Sequence, residues 1–274
     1  MTEFKQLESL RLILPFFQVV LNLKGDCLDP AVLEGKAMDW LIGIHAVAEN
    51  ELVSGRLESA ARLELAVDFD NLGLAEYLLP QVSAGKYKPA PAHYSSVFGA
   101  FKSVMANYEL YRTTRRVKFR RRAGVLVRRM ARWFDMGGVN CHSPLLIMRA
   151  EAMAVRGGHY QASVLSAFDE AAKAAQEMSF RQQEAIACER AAVYLFHEAP
   201  STPAFFHHAA RAMAIYSHWG AHGKVEFLEK KFNVTMQSVC SMAMEQQSEV
   251  VENERAVSNA YNELESFAAL QPHT

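Results

Sequence analysis

Alanine fills 40 positions of this 274-residue chain and threonine only 6. No stretch alternates β-branched with polar residues, and no Asn-Gly or Asp-Gly pair offers a hairpin turn. Alanine costs a helix nothing, whereas a strand wants branched or aromatic side chains to pack across its pleat. The chain is therefore read as all-α. Half of its residues are apolar and its formal net charge is −1, so it is neither a disordered polyelectrolyte nor a disulfide-stapled fragment.

Breakers divide the helical sequence. Asp29-Pro30, Ser143-Pro144 and Thr202-Pro203 each set a side-chain oxygen before a proline, the chemistry of a capped helix start. Gly55 and Gly73 read as separators, and Gly137-Gly138 and Gly157-Gly158 as helix ends. The segment from Ser83 to Ala92, with Gly85, Pro89 and Pro91, reads as a loop. About ten to twelve helices of roughly 11–20 residues are expected. Short turns favour antiparallel hairpins.

The stretch Leu10–Leu23 is broken by Arg11, Pro15 and Gln18 and is too short to span a bilayer, so a buried helix is expected. Met-Thr-Glu-Phe-Lys at the start lacks the layout of a signal peptide. Cys27, Cys141, Cys188 and Cys240 form no CxxC and read as reduced thiols in an intracellular, by default cytoplasmic, protein. From Ser241 to Leu270 neither glycine nor proline occurs. Val250, Val257, Tyr261, Leu264 and Leu270 fall on one stripe of a long amphipathic helix, suited to cap the fold or to meet a partner.

Two helical pairs align weakly, residues 145–178 with 184–217. Each first helix places a small residue near a larger one (Ala152 and Val155, Ala191 and Tyr194). Each second helix places an aromatic before small residues (Phe168 and Ala171; Phe205, Ala209 and Ala212). This is tetratricopeptide logic: small residues allow close approach and an aromatic fills the groove. The expected architecture is a tetratricopeptide-like solenoid of stacked hairpins over 1–232, followed by a C-terminal helix and tail over 233–274.

Several strings carry a resemblance. Residues 212–221, AMAIYSHWGA, with Lys224, Val225, Glu226, Leu228 and Glu229, resemble the ending of a helical-repeat region in very large signalling proteins. There an AAA-type ATPase module precedes tetratricopeptide-like helices, often with a kinase attached. Gln18–Leu23 with Gly25 resembles that region's opening helix. Arg115–Ala123 with Trp133 and Asn140 resembles its central basic helix. Leu146, Ala150-Glu151 and Glu189-Arg190-Ala191 resemble its repeat hairpins. The resemblance covers roughly residues 16–232 and implies the scaffold part alone. Gly35-Lys36-Ala37 has alanine where a phosphate loop needs a hydroxyl, and Pro30 where it needs its first glycine. No kinase catalytic string occurs either.

One stretch departs from the rest. Residues 112–132 hold ten of the 29 basic residues and no acid, which leaves 19 basic against all 30 acidic groups elsewhere, a balance of −11. Read as one helix, the run interleaves Val117, Ala123, Val125, Leu126, Met130 and Trp133 with the cations. Arg115, Arg116, Lys118, Arg120, Arg121 and Arg122 are the candidate partner-binding residues, because guanidinium forks suit carboxylates and phosphates. Three readings stay open: pairing with internal acids, docking of an acidic protein, and binding of nucleic acid or anionic lipid. Asp68, Asp70 and Glu76, near a helix end, suit either binding of a cation or pairing with the run.

Other groups suggest less. His218, His222 and Glu226 are spaced by four, but Gly220 and Gly223 interrupt that helix, and they read as ordinary histidines. The neighbouring Cys141 and His142 do not make a nucleophile–base pair. Trp40, Trp133 and Trp219 read as packing residues. No catalytic residue, metal site or cofactor is assigned. The functional expectation is a non-enzymatic scaffold for protein–protein interaction. The alternatives are RNA or membrane-surface binding through the basic run, or a regulatory segment acting on an ATPase or kinase in trans.

Overall fold

A computed structural model describes residues 2–39, 51–83 and 94–244. Among the described residues every regular element is helical. Besides helical residues at 36–39 and 236–244, the helices are α1 (Thr2–Lys24), α2 (Glu51–Asp68), α3 (Leu72–Ser83), α4 (Tyr94–Thr114), α5 (Val117–Asp135), α6 (His142–Arg156), α7 (Gln161–Glu177), α8 (Arg181–Glu198), α9 (Pro203–Trp219) and α10 (His222–Phe232), with a 3-10 turn at Val139–Cys141 before α6. None is long and apolar enough to cross a membrane. Trp40, the loop expected up to Ala92 and nearly all of the long helix expected over 241–270 lie outside the described residues.

Neighbours in sequence pack as neighbours in space: α4 on α5, α6 on α7, α7 on α8 and α8 on α9. The first helices of successive pairs also touch, α4 with α6 and α6 with α8. Alanine makes these contacts close. Ala150, Ala171, Ala185, Ala191, Ala209 and Ala212 are fully buried, and at such positions a larger side chain would push two helix axes apart. Phe168 of α7 closes one such layer against Ala150, Val164 and Ala191. A smaller cluster of Leu63, Leu78, Leu79, Leu110 and Phe119 joins α2, α3, α4 and α5.

Of the three expected helix starts, only Thr202-Pro203 begins its helix as read: Thr202 Oγ1 accepts from the Phe205 N–H at 3.4 Å and Pro203 takes the first position. The helix expected at Ser143-Pro144, α6, starts two residues early at His142, and the Ser143 hydroxyl donates instead to the side-chain oxygen of Gln183. Asp29-Pro30 starts none. The buried Asn22 amide donates to the carbonyls of Pro30 and Val32 at 3.1 and 2.6 Å, holding as a turn the groups a helix would have used. Gly55 does not separate two helices either; it lies inside α2. Leu10–Leu23 is helical but only half buried. Leu14, Val19 and Leu23 enter the core, while Leu10, Ile13, Phe17 and Val20 line an exposed stripe, Ile13 being 58% exposed.

The C-terminal end of α1 meets the start of α10. Gly25, left-handed at φ 93°, follows α1 and lies against Gly223 in the first turn of α10. A Cβ on Gly223 would stand 2.8 Å from Asn22 O and from the Gly25 backbone, and backbone cannot swing aside as a side chain can. Beyond α10, Asn233 turns left-handed and Val239 is buried in the same core. Gly223→Ala is therefore expected to lower stability by about 1–3 kcal/mol in urea denaturation. Gly73→Ala, whose Cβ meets nothing within 4 Å, is expected to cost nothing; equal effects of the two would contradict the close approach.

Candidate functional site: the arginine face of α5

The basic run is not one helix. It is divided by Arg115, which takes the left-handed φ of 56° between α4 and α5. Neither glycine nor proline marks this break. Thr114 helps close α4 by donating from its hydroxyl to the Leu110 carbonyl at 2.5 Å. Arg112 consequently belongs to α4 and points inward, while the cations from Arg116 onward belong to α5 or its cap.

The apolar positions of α5 fix its rotation. Phe119, Ala123, Met130 and Trp133 recur at helical spacing and are buried. At 100° per residue, Lys118, Arg121, Arg122, Arg128, Arg129 and Arg132 then fall within about a third of the circumference, outside the buried arc. Among them lies only Val125, 47% exposed. Arg121, Arg122, Arg128, Arg129 and Arg132 are exposed, and none has an ion pair among the described residues. The arginines from 121 to 132 extend about 16 Å along the axis.

The six candidate residues divide. Arg121 and Arg122 stand on the open face. Lys118 and Arg116 share Glu76 of α3 at 3.2 and 3.4 Å, exposed contacts of small energetic value. Arg120 is half buried over the Tyr111 ring, 5.3 Å from its centroid. Arg115 sits exposed in the turn. Arg128, Arg129 and Arg132, which complete the face, were not among those six. The signal that finds them is the seven-residue step from 121 to 128, 122 to 129 and 118 to 132 by way of 125. Of the expected acidic partners, Glu76 pairs with this run, whereas Asp68 binds Lys102 of α4 and Asp70 binds Lys231 of α10.

Elsewhere the interior is an ordered lattice of charge. Arg190 of α8 donates through Nε to Glu151 of α6 and through its terminal nitrogen to Glu109 of α4. Arg112 joins the same two carboxylates, at 2.6 Å each. Burial opposes ionisation of Glu109, but Arg190 and Arg112 outweigh it and pull its pKa down to about 2. One residue before Arg190, Glu189 accepts from Lys224 Nζ at 2.8 Å and from the Tyr216 hydroxyl at 2.7 Å.

The remaining candidates are dispersed. Left-handed Gly220 ends α9 and separates His218 from His222. His142 stacks on Phe134, with ring centroids 5.0 Å apart. His208 is buried, and burial lowers its pKa to about 4. Trp133 packs as expected, but Trp219 does not; it is 39% exposed.

Glu64 is the exception in the lattice. Lys102 binds both oxygens of Asp68 at 2.6 and 2.7 Å but stands 3.9 Å from Glu64. Burial therefore dominates and raises the Glu64 pKa from 4.5 to about 8. Between those values the folded chain holds a proton that the unfolded chain releases, so this group's contribution to stability declines as pH rises. Glu64→Gln, which mimics the protonated acid, is expected to match the parent at pH 5 and to exceed it in urea denaturation at pH 9. A variant less stable at both pH values would contradict a protonated Glu64. Comparison of the chain with protein-family models, curated proteins and solved structures finds no match.

Proposed function

We propose that the chain is a non-enzymatic helical-repeat scaffold, of tetratricopeptide-like hairpins, that docks an acidic protein segment on the arginine face of α5. The observation that carries this reading is the set of five exposed arginines on one face of a helix whose other face is locked in the core. Internal pairing does not account for them, since the buried acids Glu109, Glu151, Glu184 and Glu189 are taken by Arg112, Arg190, Arg181, Arg211 and Lys224. Like charges crowded on a folded helix repel one another, and an anionic partner relieves that repulsion.

The hairpin pairs α4/α5, α6/α7 and α8/α9, with their first helices in mutual contact, support the repeat reading. In such a stack each pair holds the next, and an outer helix becomes a rigid presenting edge. Packing fixes the backbone that carries these arginines, so binding orders their side chains alone and not the helix, which favours specific docking over diffuse attraction.

The test is the quadruple reversal of Arg121, Arg122, Arg128 and Arg129 to Glu, with binding read by fluorescence anisotropy. The probes are a labelled glutamate-rich helical peptide, a duplex RNA and phosphatidylserine vesicles. The peptide is expected to bind the parent chain, to weaken steeply as salt rises, and to be lost in the variant, with the thermal midpoint almost unchanged. RNA or vesicles bound more tightly than the peptide at 0.15 M salt (about one Debye length of 8 Å) would replace this reading with the nucleic-acid or membrane one.

A further inference from the structure

A second surface, away from the arginines of α5, has the chemistry of a small-molecule site. The α5–α6 turn, the α7–α8 turn and the end of α9 converge on the first half of α4. Between them opens a cleft of about 380 Å3, within the size range of ligand pockets. Its walls include Phe98 and Phe101 of α4, Phe180 before α8 and Trp219 at the end of α9, and its polar edge includes Arg181 and Gln183.

These residues divide into an apolar body and a charged rim. Phe101 is 1% exposed and closes the interior side, whereas Trp219 remains open to solvent. Aromatic walls favour a flat ring, through offset stacking or edge contacts. At the rim, Arg181 meets one oxygen of Glu184 at 3.1 Å, and Arg211 meets the other at 3.3 Å. One carboxylate shared between two guanidiniums leaves Arg181, at the cleft, without a carboxylate of its own. Arg181 is 55% exposed, so its remaining N–H groups are accessible. Gln183 accepts the Ser143 hydroxyl at its amide oxygen, which leaves the amide NH2 as a donor. Glu64, beside Gln182, holds its proton at neutral pH and adds no negative charge to repel an anion.

We propose that this cleft binds a small planar aromatic anion, its ring against the aromatic walls and its carboxylate or phosphate on Arg181. Neither the apolar wall nor the guanidinium alone would select such a ligand. Together they favour the aromatic anion over an aliphatic anion and over a neutral ring. Binding here is independent of the α5 face, and reversal of the α5 arginines leaves it intact.

The experiment titrates 2-naphthoate, 2-naphthyl phosphate and neutral 2-naphthamide into the full chain, read by ligand-detected saturation-transfer NMR. At least one anion is expected to bind about tenfold more tightly than the amide, the worth of one charge-assisted contact. Which anion is preferred distinguishes a carboxylate from a phosphate ligand. Arg181→Gln is expected to abolish the preference while keeping the ring signal. Phe180→Ala and, separately, Trp219→Leu are expected to weaken all three ligands. Circular dichroism confirms that each variant is folded. Absence of binding, equal binding of all three ligands, or an anion preference that survives Arg181→Gln would overturn the proposal.

Discussion

Four buried side chains hold the centre of this fold. Arg190 of α8 and Arg112 of α4 face Glu109 of α4 and Glu151 of α6, and each guanidinium bonds both carboxylates. Three helices from three successive pairs thus meet at one neutral quartet. A buried ion pair adds little net stability over a well-packed apolar group, but removing one member costs about 3–5 kcal/mol because a charge is left stranded. The quartet therefore acts less as glue than as a register: α4, α6 and α8 sit where both carboxylates can be answered. Lys224, Glu189 and Tyr216 continue the lattice from α8 to α10.

The same lattice explains why arginine has two roles separated by one turn of chain. Arg112 and Arg121 belong to one acid-free stretch, yet one is consumed internally and the other is exposed. The left-handed Arg115 makes the division by ending α4 before the run is complete. Once the interior acids are matched, the cations at the start of α5 pair with Glu76, and among the described residues the arginines from 121 to 132 form no ion pair. A surplus of charge on a rigid face follows from that geometry and needs no special motif. The cleft at the other turns repeats the principle on a smaller scale, with Glu184 shared by Arg181 and Arg211.

Much of the architecture was legible because it is written locally. Alanine content and missing strand patterns gave the helical class. Thr202-Pro203 gave a helix start because its cap needs only its own next residues. The errors arose where distant groups intervened. Ser143 bonds Gln183, 40 residues away, and the turn at Asp29 is held by Asn22 from the preceding helix. Gly55 does not break α2, because one glycine costs a helix only about 1 kcal/mol, which packing can override. For the site, the acid-free basic run is legible, but its outward face is only partly so: of the six candidates Arg121 and Arg122 stand on the open face, while Arg128, Arg129 and Arg132 follow only once the rotation of α5 is fixed by its buried residues. That Arg112 would turn inward was not readable, since Glu151 and Arg190 lie 39 and 78 positions further along the chain. The sharing of Glu184 by Arg181 and Arg211 was hidden in the same way.

The most direct test of the quartet as the register of the fold is native-state hydrogen exchange on Glu151→Gln. This substitution keeps the volume of the side chain and removes its charge from beneath Arg112 and Arg190. If the quartet sets the register, amide protection falls together in α4, α6 and α8, while α3 and the α9–α10 end keep theirs relative to the global unfolding limit. Loss of protection confined to α6, with α4 and α8 unchanged, would show that the helices hold their positions by packing alone and would contradict this account.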